Sequence, residues 1–180
     1  CKNYVGIRPM RGSKPLPDLV EHFLSIKEEN MEDYSLLFKD KKVIIFGLPG
    51  AFTPTCSSRH LPEFEVMADE LLDYVDDIYC VSVNDRFVMN AWADSLGIEQ
   101  VKMLPDGNGE LTDKLNMLVD KSNKGFGKRS WRYSALLEDG QIIKKFEEQG
   151  KTDNVPVDYD PFEVSDAYTM VKYLKERVDK

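Results

Sequence analysis

No stretch of this 180-residue chain approaches the roughly 18 consecutive apolar residues that span a bilayer, and no secretory signal opens it. A soluble protein is therefore expected, with no membrane partner. Basic charge is not in excess either. With 24 Lys and Arg against 32 Asp and Glu, the formal net charge is −8, and the cations are mixed among more numerous acids, so the basic patch that a nucleic-acid partner requires is missing. Cysteine is scarce and odd in number: Cys1, Cys56 and Cys80. Three thiols do not form a disulfide framework, and the expectation is an intracellular, reducing setting with at most one functional pair. The chain opens on Cys1 rather than Met, as a form from which a leader has been removed would, so the cytoplasm and an organelle such as a mitochondrion or plastid both stay open.

The length suits one domain with an ordinary apolar core. Residues 1–16 carry turn formers and little periodicity and are expected to be an arm, with a single domain over 17–180. Residues 17–40 are ambiguous, apart from a short helix expected between Met31 and Phe38. Beyond them, apolar runs at Val43–Gly47, Ile78–Val83 and Val101–Leu104 alternate with helical patterns over 55–74, 86–96 and 110–118, the rhythm of a parallel sheet with crossover helices. Two further strands, 133–138 and 141–146, flank Asp139-Gly140, a dipeptide that favours a two-residue hairpin turn. Ser165 is placed to cap a last helix, with Met170, Val171 and Leu174 on its inner face. Parallel strands, then an antiparallel hairpin, then a terminal helix is the element order of a thioredoxin-like α/β fold, a central mixed sheet flanked by helices.

In that order the run Pro49-Gly-Ala-Phe-Thr53-Pro-Thr-Cys56 falls where the first core strand hands over to a helix. A thiol in the first turn of a helix faces unsatisfied backbone N–H groups and the positive end of the helix dipole, and both favour thiolate. Thr53-Pro-Thr-Cys56 stands where such folds carry Cys-x-x-Cys. With threonine replacing the first cysteine, the site is poorly suited to dithiol exchange, but a hydroxyl can still bond the sulfur and an incoming oxygen. Thr53 alternatively serves only as a helix cap. His60, four residues after Cys56 on the same face, is expected to be structural. Arg59 and Arg86 are weaker candidates for nearby positive charge. The acids Asp69, Glu70, Asp73, Asp76 and Asp77 cluster at the end of the first helix and read as a solvated face.

The spacing Pro49-x-x-x-Thr53-x-x-Cys56 resembles the peroxidatic site of peroxiredoxins. The longer blocks PGAFTPTCSSRHLPEFE, CVSVNDRFVMNAWA (80–93), LPDGNGELTDKLNML (104–118) and RSWRYSALLEDG (129–140) resemble the type II or type 5 subfamily, from about Asp40 to Phe146. The resemblance implies a thiol peroxidase that reduces hydrogen peroxide and alkyl hydroperoxides through a sulfenic acid, serving antioxidant defence without a cofactor. It assigns Cys56 as nucleophile, Thr53 as hydroxyl donor, Pro49 as the proline over the sulfur and Arg132 as the active-site arginine, with Arg129 as its competitor. The backbone N–H groups of Thr55 and Cys56 complete an anion hole for substrate. Cys80 matches the second cysteine of the plant-like branch and is a possible resolving thiol, yet it sits in an apolar strand pattern where core packing is the default. The preferred expectation is single-cysteine turnover recharged by glutathione or a glutaredoxin, with thioredoxin as the alternative. A homodimer through loops around the site, lined by 84–89, Phe52, Phe126 and Trp131, is also implied. The competing functions are a peroxide sensor that relays oxidation to a partner and a thioredoxin-like disulfide reductase.

Overall fold

The computed structural model describes residues 35–178; the expected arm over 1–16, Cys1 and the rest of the segment before Ser35 lie outside the described residues. In chain order the elements are helix α1 (Ser35–Phe38), β1 (Lys42–Gly47), a π-helical turn (Cys56–His60), α2 (Leu61–Val66), α3 (Ala68–Leu71), β2 (Asp77–Ser82), α4 (Arg86–Ser95), β3 (Lys102–Pro105), α5 (Glu110–Lys114), β4 (Leu118–Asp120), β5 (Lys128–Ser130), β6 (Tyr133–Glu138), β7 (Gln141–Glu147) and α6 (Ala167–Val178). β1 and β2 are apolar along almost their whole length and buried on both faces, as parallel strands covered by helices must be. β1 pairs in parallel with β2, and β2 with β3. β6 then runs antiparallel beside β1, with β7 antiparallel to β6, so the sheet reads β3-β2-β1-β6-β7. The turn between β6 and β7 is Asp139-Gly140, with φ of 50° and 77°, the doubly left-handed pair that a tight hairpin requires.

Strand residues alternate between two cores. Ile44, Phe46, Cys80, Met103 and Leu136 face one side, against Leu61, Phe64, Leu71, Trp92, Met170 and Leu174 of α2, α3, α4 and α6. Val43, Ile45, Tyr79, Val81, Ala135 and Leu137 face the other, against Leu37 and Phe38 of α1 and Leu111 of α5. Helices thus cover both faces of a mixed sheet, the thioredoxin-like arrangement expected. Among the described residues no helix is long and apolar enough to cross a membrane.

Three boundaries differ from the sequence expectation. The helix expected over 55–74 is divided: Leu61 N–H reaches back five residues to the Cys56 carbonyl, and the run breaks again at Met67 (φ −93°, ψ 4°). Pro62 has no N–H to offer the Ser58 carbonyl, which permits the wider turn. The helix expected over 110–118 ends at Lys114, and Leu118 instead begins β4, paired antiparallel with β5 in a separate two-stranded sheet. The last helix begins at Ala167, where Asp166 rather than Ser165 accepts from Thr169 N–H at 3.2 Å; the Ser165 hydroxyl is donated to Glu148.

Candidate active site

β1 delivers the chain to Pro49 and Gly50, and three contacts fix the loop that follows. Asn84 Oδ1 accepts from Ala51 N–H at 3.0 Å, Arg129 Nη1 donates to the Pro49 carbonyl at 3.4 Å, and the Thr53 hydroxyl donates to the Gly50 carbonyl at 2.6 Å. The lack of a side chain on Gly50 leaves room for Arg129, since a Cβ there would lie 2.5 Å from Arg129 Nη1 and would push the guanidinium aside. The loop leads into the π-helical turn, where the Thr53 carbonyl accepts from Ser57 N–H at 3.0 Å and Trp92 Nε1 donates to Ser57 Oγ at 2.9 Å. Thr53 stands just before the helical run, with its carbonyl taking that first helical bond, while its hydroxyl is donated to the Gly50 carbonyl.

Cys56 opens that turn with no exposed surface. Arg132, one residue before β6 and 1% exposed, donates from Nη2 to the Cys56 sulfur at 3.4 Å. The same Nη2 donates to Asp160 Oδ1 at 2.7 Å, and Nη1 lies 3.1 Å from His60 Nδ1. His60 is fully buried and its Nε2 is 3.0 Å from the Ser165 carbonyl. A carbonyl can only accept, so Nε2 carries the proton and Nδ1 is left bare to accept from Arg132. Burial above all, and then the charge of Arg132, hold the imidazole well below its usual pKa, with the Ser165 carbonyl working the other way. His60 is therefore neutral and a direct partner of the arginine. The rings of Phe46, Phe64 and Phe162 surround it at 4.9 to 5.6 Å between centroids.

Burial disfavours the charge on Arg132, but Cys56 and Asp160 more than offset it and raise its pKa. Burial likewise pushes the Asp160 carboxyl up, and the Arg132 charge and hydrogen bond, together with the Thr55 hydroxyl, outweigh it and hold the group below the usual carboxylate range. Two more cations interact with Cys56. Arg129 and Lys121 are both lowered chiefly by burial, and in each the Cys56 charge opposes the shift. Lys121 is 2% exposed, with its ammonium 5.3 Å from the Trp131 ring centroid. Cys56 is thus faced by three cations and one carboxylate.

Of the residues singled out from the sequence, Cys56, Arg132 and His60 meet directly, while Pro49, Thr53 and Arg129 hold the loop beside them. Arg59 is exposed and lies over the Phe162 ring at 4.6 Å, and Arg86 is stacked on Phe87 at 4.9 Å; neither reaches the sulfur. Trp131, a candidate for a surface face, is instead buried, with Nε1 donating to the Glu148 carbonyl at 2.8 Å. Cys80 lies in mid-strand, paired with Phe46 and Met103 on either side, and both it and Cys56 are free thiols. Sequence reasoning passed over Asp160 and Lys121. The acidic cluster is partly neutralised, Asp77 by Lys41 and Lys102 and Glu70 by Lys175.

Comparison with known proteins places this geometry. The Redoxin family model matches residues 12–169. Over 140 residues the chain is 59% identical to peroxiredoxin sll1621 of Synechocystis sp., covering 77% of this chain and 73% of that one. Among solved structures it is similar to the Plasmodium falciparum antioxidant protein, a 1-Cys peroxiredoxin, with a TM-score of 0.75 and 40% identity over 79% of this chain and 80% of that one. It is also similar to reduced Prx3 of Vibrio vulnificus in complex with hydrogen peroxide, with a TM-score of 0.73 and 39% identity over 81% and 85% of the two chains.

Proposed function

The chain belongs to the peroxiredoxins of the Redoxin family and is a thiol peroxidase, and from that premise we propose that Cys56 is the attacking sulfur and Arg132 the group that receives the peroxide. The observation that carries this reading is the occupancy of the guanidinium. Arg132 has five N–H bonds in a fixed fork. The two on Nη2 go to Cys56 and Asp160, and one on Nη1 goes to His60. Nε, though buried, has no partner among the described residues. An unpaired buried donor is costly unless a ligand satisfies it, and here it lies on the fork that holds the sulfur.

Thiolate attack forms an S–O bond as the O–O bond breaks, leaving Cys56 as sulfenic acid, oxidised by two electrons, while the departing oxygen takes the thiol's former proton and leaves as water or alcohol. Arg132 offsets charge on both oxygens. Because the Thr53 hydroxyl proton is already donated to Gly50, its free lone pairs suit it to accept the hydroperoxide O–H, where the sequence reading had it as a donor to the sulfur and the incoming oxygen. In this reading Pro49 shields the sulfur and the Thr55 and Cys56 amides complete the donor set for the peroxide. The Vibrio relative's hydrogen peroxide complex supports that substrate, and the Plasmodium relative's 1-Cys description supports single-cysteine turnover. In that cycle one glutathione displaces water from the sulfenic acid and a second thiol, glutathione or a glutaredoxin, releases the mixed disulfide; thioredoxin is the reductant if Cys80 resolves. A homodimer and a reducing compartment, cytoplasmic or organellar, complete the reading.

The test is single-turnover oxidation by hydrogen peroxide, followed by intact mass. The expected result is a gain of one oxygen on Cys56 at a rate at least 10³-fold above that of free cysteine. Cys56→Ser is expected to lose all peroxide consumption, and persistence of activity in that variant would end the assignment.

A further inference from the structure

The catalytic arginine is held by a carboxylate far from it in the chain. Asp160 accepts from Arg132 Nη2 at 2.7 Å, across 28 residues of chain, and also takes the Thr55 hydroxyl. It therefore ties the arginine to the residue immediately before Cys56. Its side chain is 32% exposed, while that of Arg132 is 1% exposed, so Asp160 stands between the buried fork and solvent. Its own position is fixed. Glu148, 2% exposed at the end of β7, accepts the backbone N–H groups of Glu163, Val164 and Ser165 at 2.8 to 3.0 Å, which pins the segment between β7 and α6. That segment supplies Asp160, the Phe162 ring 5.7 Å from the Arg132 guanidinium carbon, and the Ser165 carbonyl that sets the tautomer of His60.

We propose that Asp160 is the positioning residue for Arg132: its carboxylate, anchored through Thr55 and the Glu148-pinned segment, sets the rotation of the guanidinium that keeps Nη2 on the Cys56 sulfur and turns Nε toward the peroxide. Two acceptors besides the sulfur fix the plane of the guanidinium: His60 on Nη1 and Asp160 on Nη2. Without Asp160 the sole acceptor left on Nη2 is the reacting sulfur at 3.4 Å, so the fork can turn about the His60 contact as that sulfur reacts. The arginine would keep its charge beside the thiolate and lose the orientation that the O–O bond requires, and misplacement by about an ångström costs on the order of 100-fold in rate. The inference rests on the assignment of Cys56 and Arg132 to the peroxide reaction.

That distinction between charge and orientation gives the test. In Asp160→Ala and Asp160→Asn, the second-order rate constant of Cys56 toward hydrogen peroxide is compared with its rate of alkylation by iodoacetamide, which needs the thiolate but not the fork. Asp160→Ala is expected to slow the peroxide reaction about 10- to 100-fold while alkylation changes less than about threefold. Asp160→Asn, whose amide oxygen still accepts from Nη2, is expected to recover most of the loss. A peroxide rate in Asp160→Ala within threefold of wild type overturns the proposal, as do equal losses in both reactions, the mark of a merely structural residue, or failure of the Asn rescue. The wild-type rate separates the two levels: if it is no faster than free cysteine, the assignment of the site fails and this inference with it, whereas a fast wild type with an unaffected Asp160→Ala removes the inference alone.

Discussion

Fully buried, with a bare Nδ1 facing a guanidinium, His60 can serve Arg132 only while it is neutral. A proton on Nδ1 would place two positive groups 3.1 Å apart in a site without solvent, and for that reason the folded protein resists it. The unfolded chain does not. Below about pH 6.5 it binds a proton that the folded state refuses, so this contribution to stability is full above 6.5 and is lost as pH falls toward the depressed folded value. The slope from one such group is at most about 1.4 kcal/mol per pH unit. Asp160 and Glu148, whose carboxyls are held below the usual carboxylate range, act at lower pH than the window from about 5.5 to 6.5 in which the histidine contributes. Urea unfolding of His60→Asn is expected to show a flatter pH dependence than wild type across that window; parallel curves would mean that His60 accepts its proton in the fold. Cys56 and Arg132 were legible in the sequence because each carries a local sign, a thiol at a strand-to-helix junction and a cation abutting an apolar strand. Asp160 and Lys121 carry none. With 31% of the residues charged, an acid or a lysine in a loop looks like its neighbours, and only the fold reveals which ones it gathers around Arg132 and Cys56.

At the level of elements, the reading of Cys80 turns on β2. The strand lies between β1 and β3 and is hydrogen-bonded on both edges, and Cys80 points into the core that also contains Cys56. Burial foremost, then the Cys56 charge, push its thiol well above the usual range, with Arg132 opposing, so in the folded state it is a poor nucleophile for resolving a sulfenic acid. A bridge to Cys56 would also need the π-helical turn or the central strand to unwind. Cys80→Ala is accordingly expected to keep turnover with glutathione and glutaredoxin within about threefold of wild type; loss of turnover with an intact first oxidation step would make Cys80 the resolving thiol. The elements themselves were legible where they are long or carry a turn signal. The three core strands, the Asp139-Gly140 hairpin and α4 lie within a residue or two of expectation. β4 and β5, three residues each and mostly polar, have too few alternations to register a period. The break at Met67 has no glycine or proline at that position to announce it, and Ser165, an ordinary cap by type, is drawn instead to the Glu148 carboxylate, which lies 17 residues away in the chain.

For the molecule as a whole, the open question is what covers the rim of the site. Phe52 stands in the left-handed region at φ 63°, a conformation that costs a bulky L-residue about 1–2 kcal/mol, and it is 57% exposed although it lies four residues before a fully buried thiol. Strain combined with exposure stabilises nothing within one chain. Both make sense if the ring is presented to a second copy, together with the half-buried Phe126, stacked beneath Arg129. Phe52→Gly separates the two effects, since glycine relieves the backbone strain while removing the contact. The isolated monomer is then expected to be no less stable to urea, and the dimer dissociation constant to rise about 10- to 100-fold, as loss of an aromatic anchor does. Sedimentation equilibrium measures this directly. Val66→Ser, at an 80% exposed position on α2, serves as the control that should leave association unchanged. A wild type that remains monomeric at tens of micromolar would remove the dimer, and a Phe52→Gly variant that associates as wild type does would place the dimer contact elsewhere; either result overturns this role for the strained phenylalanine.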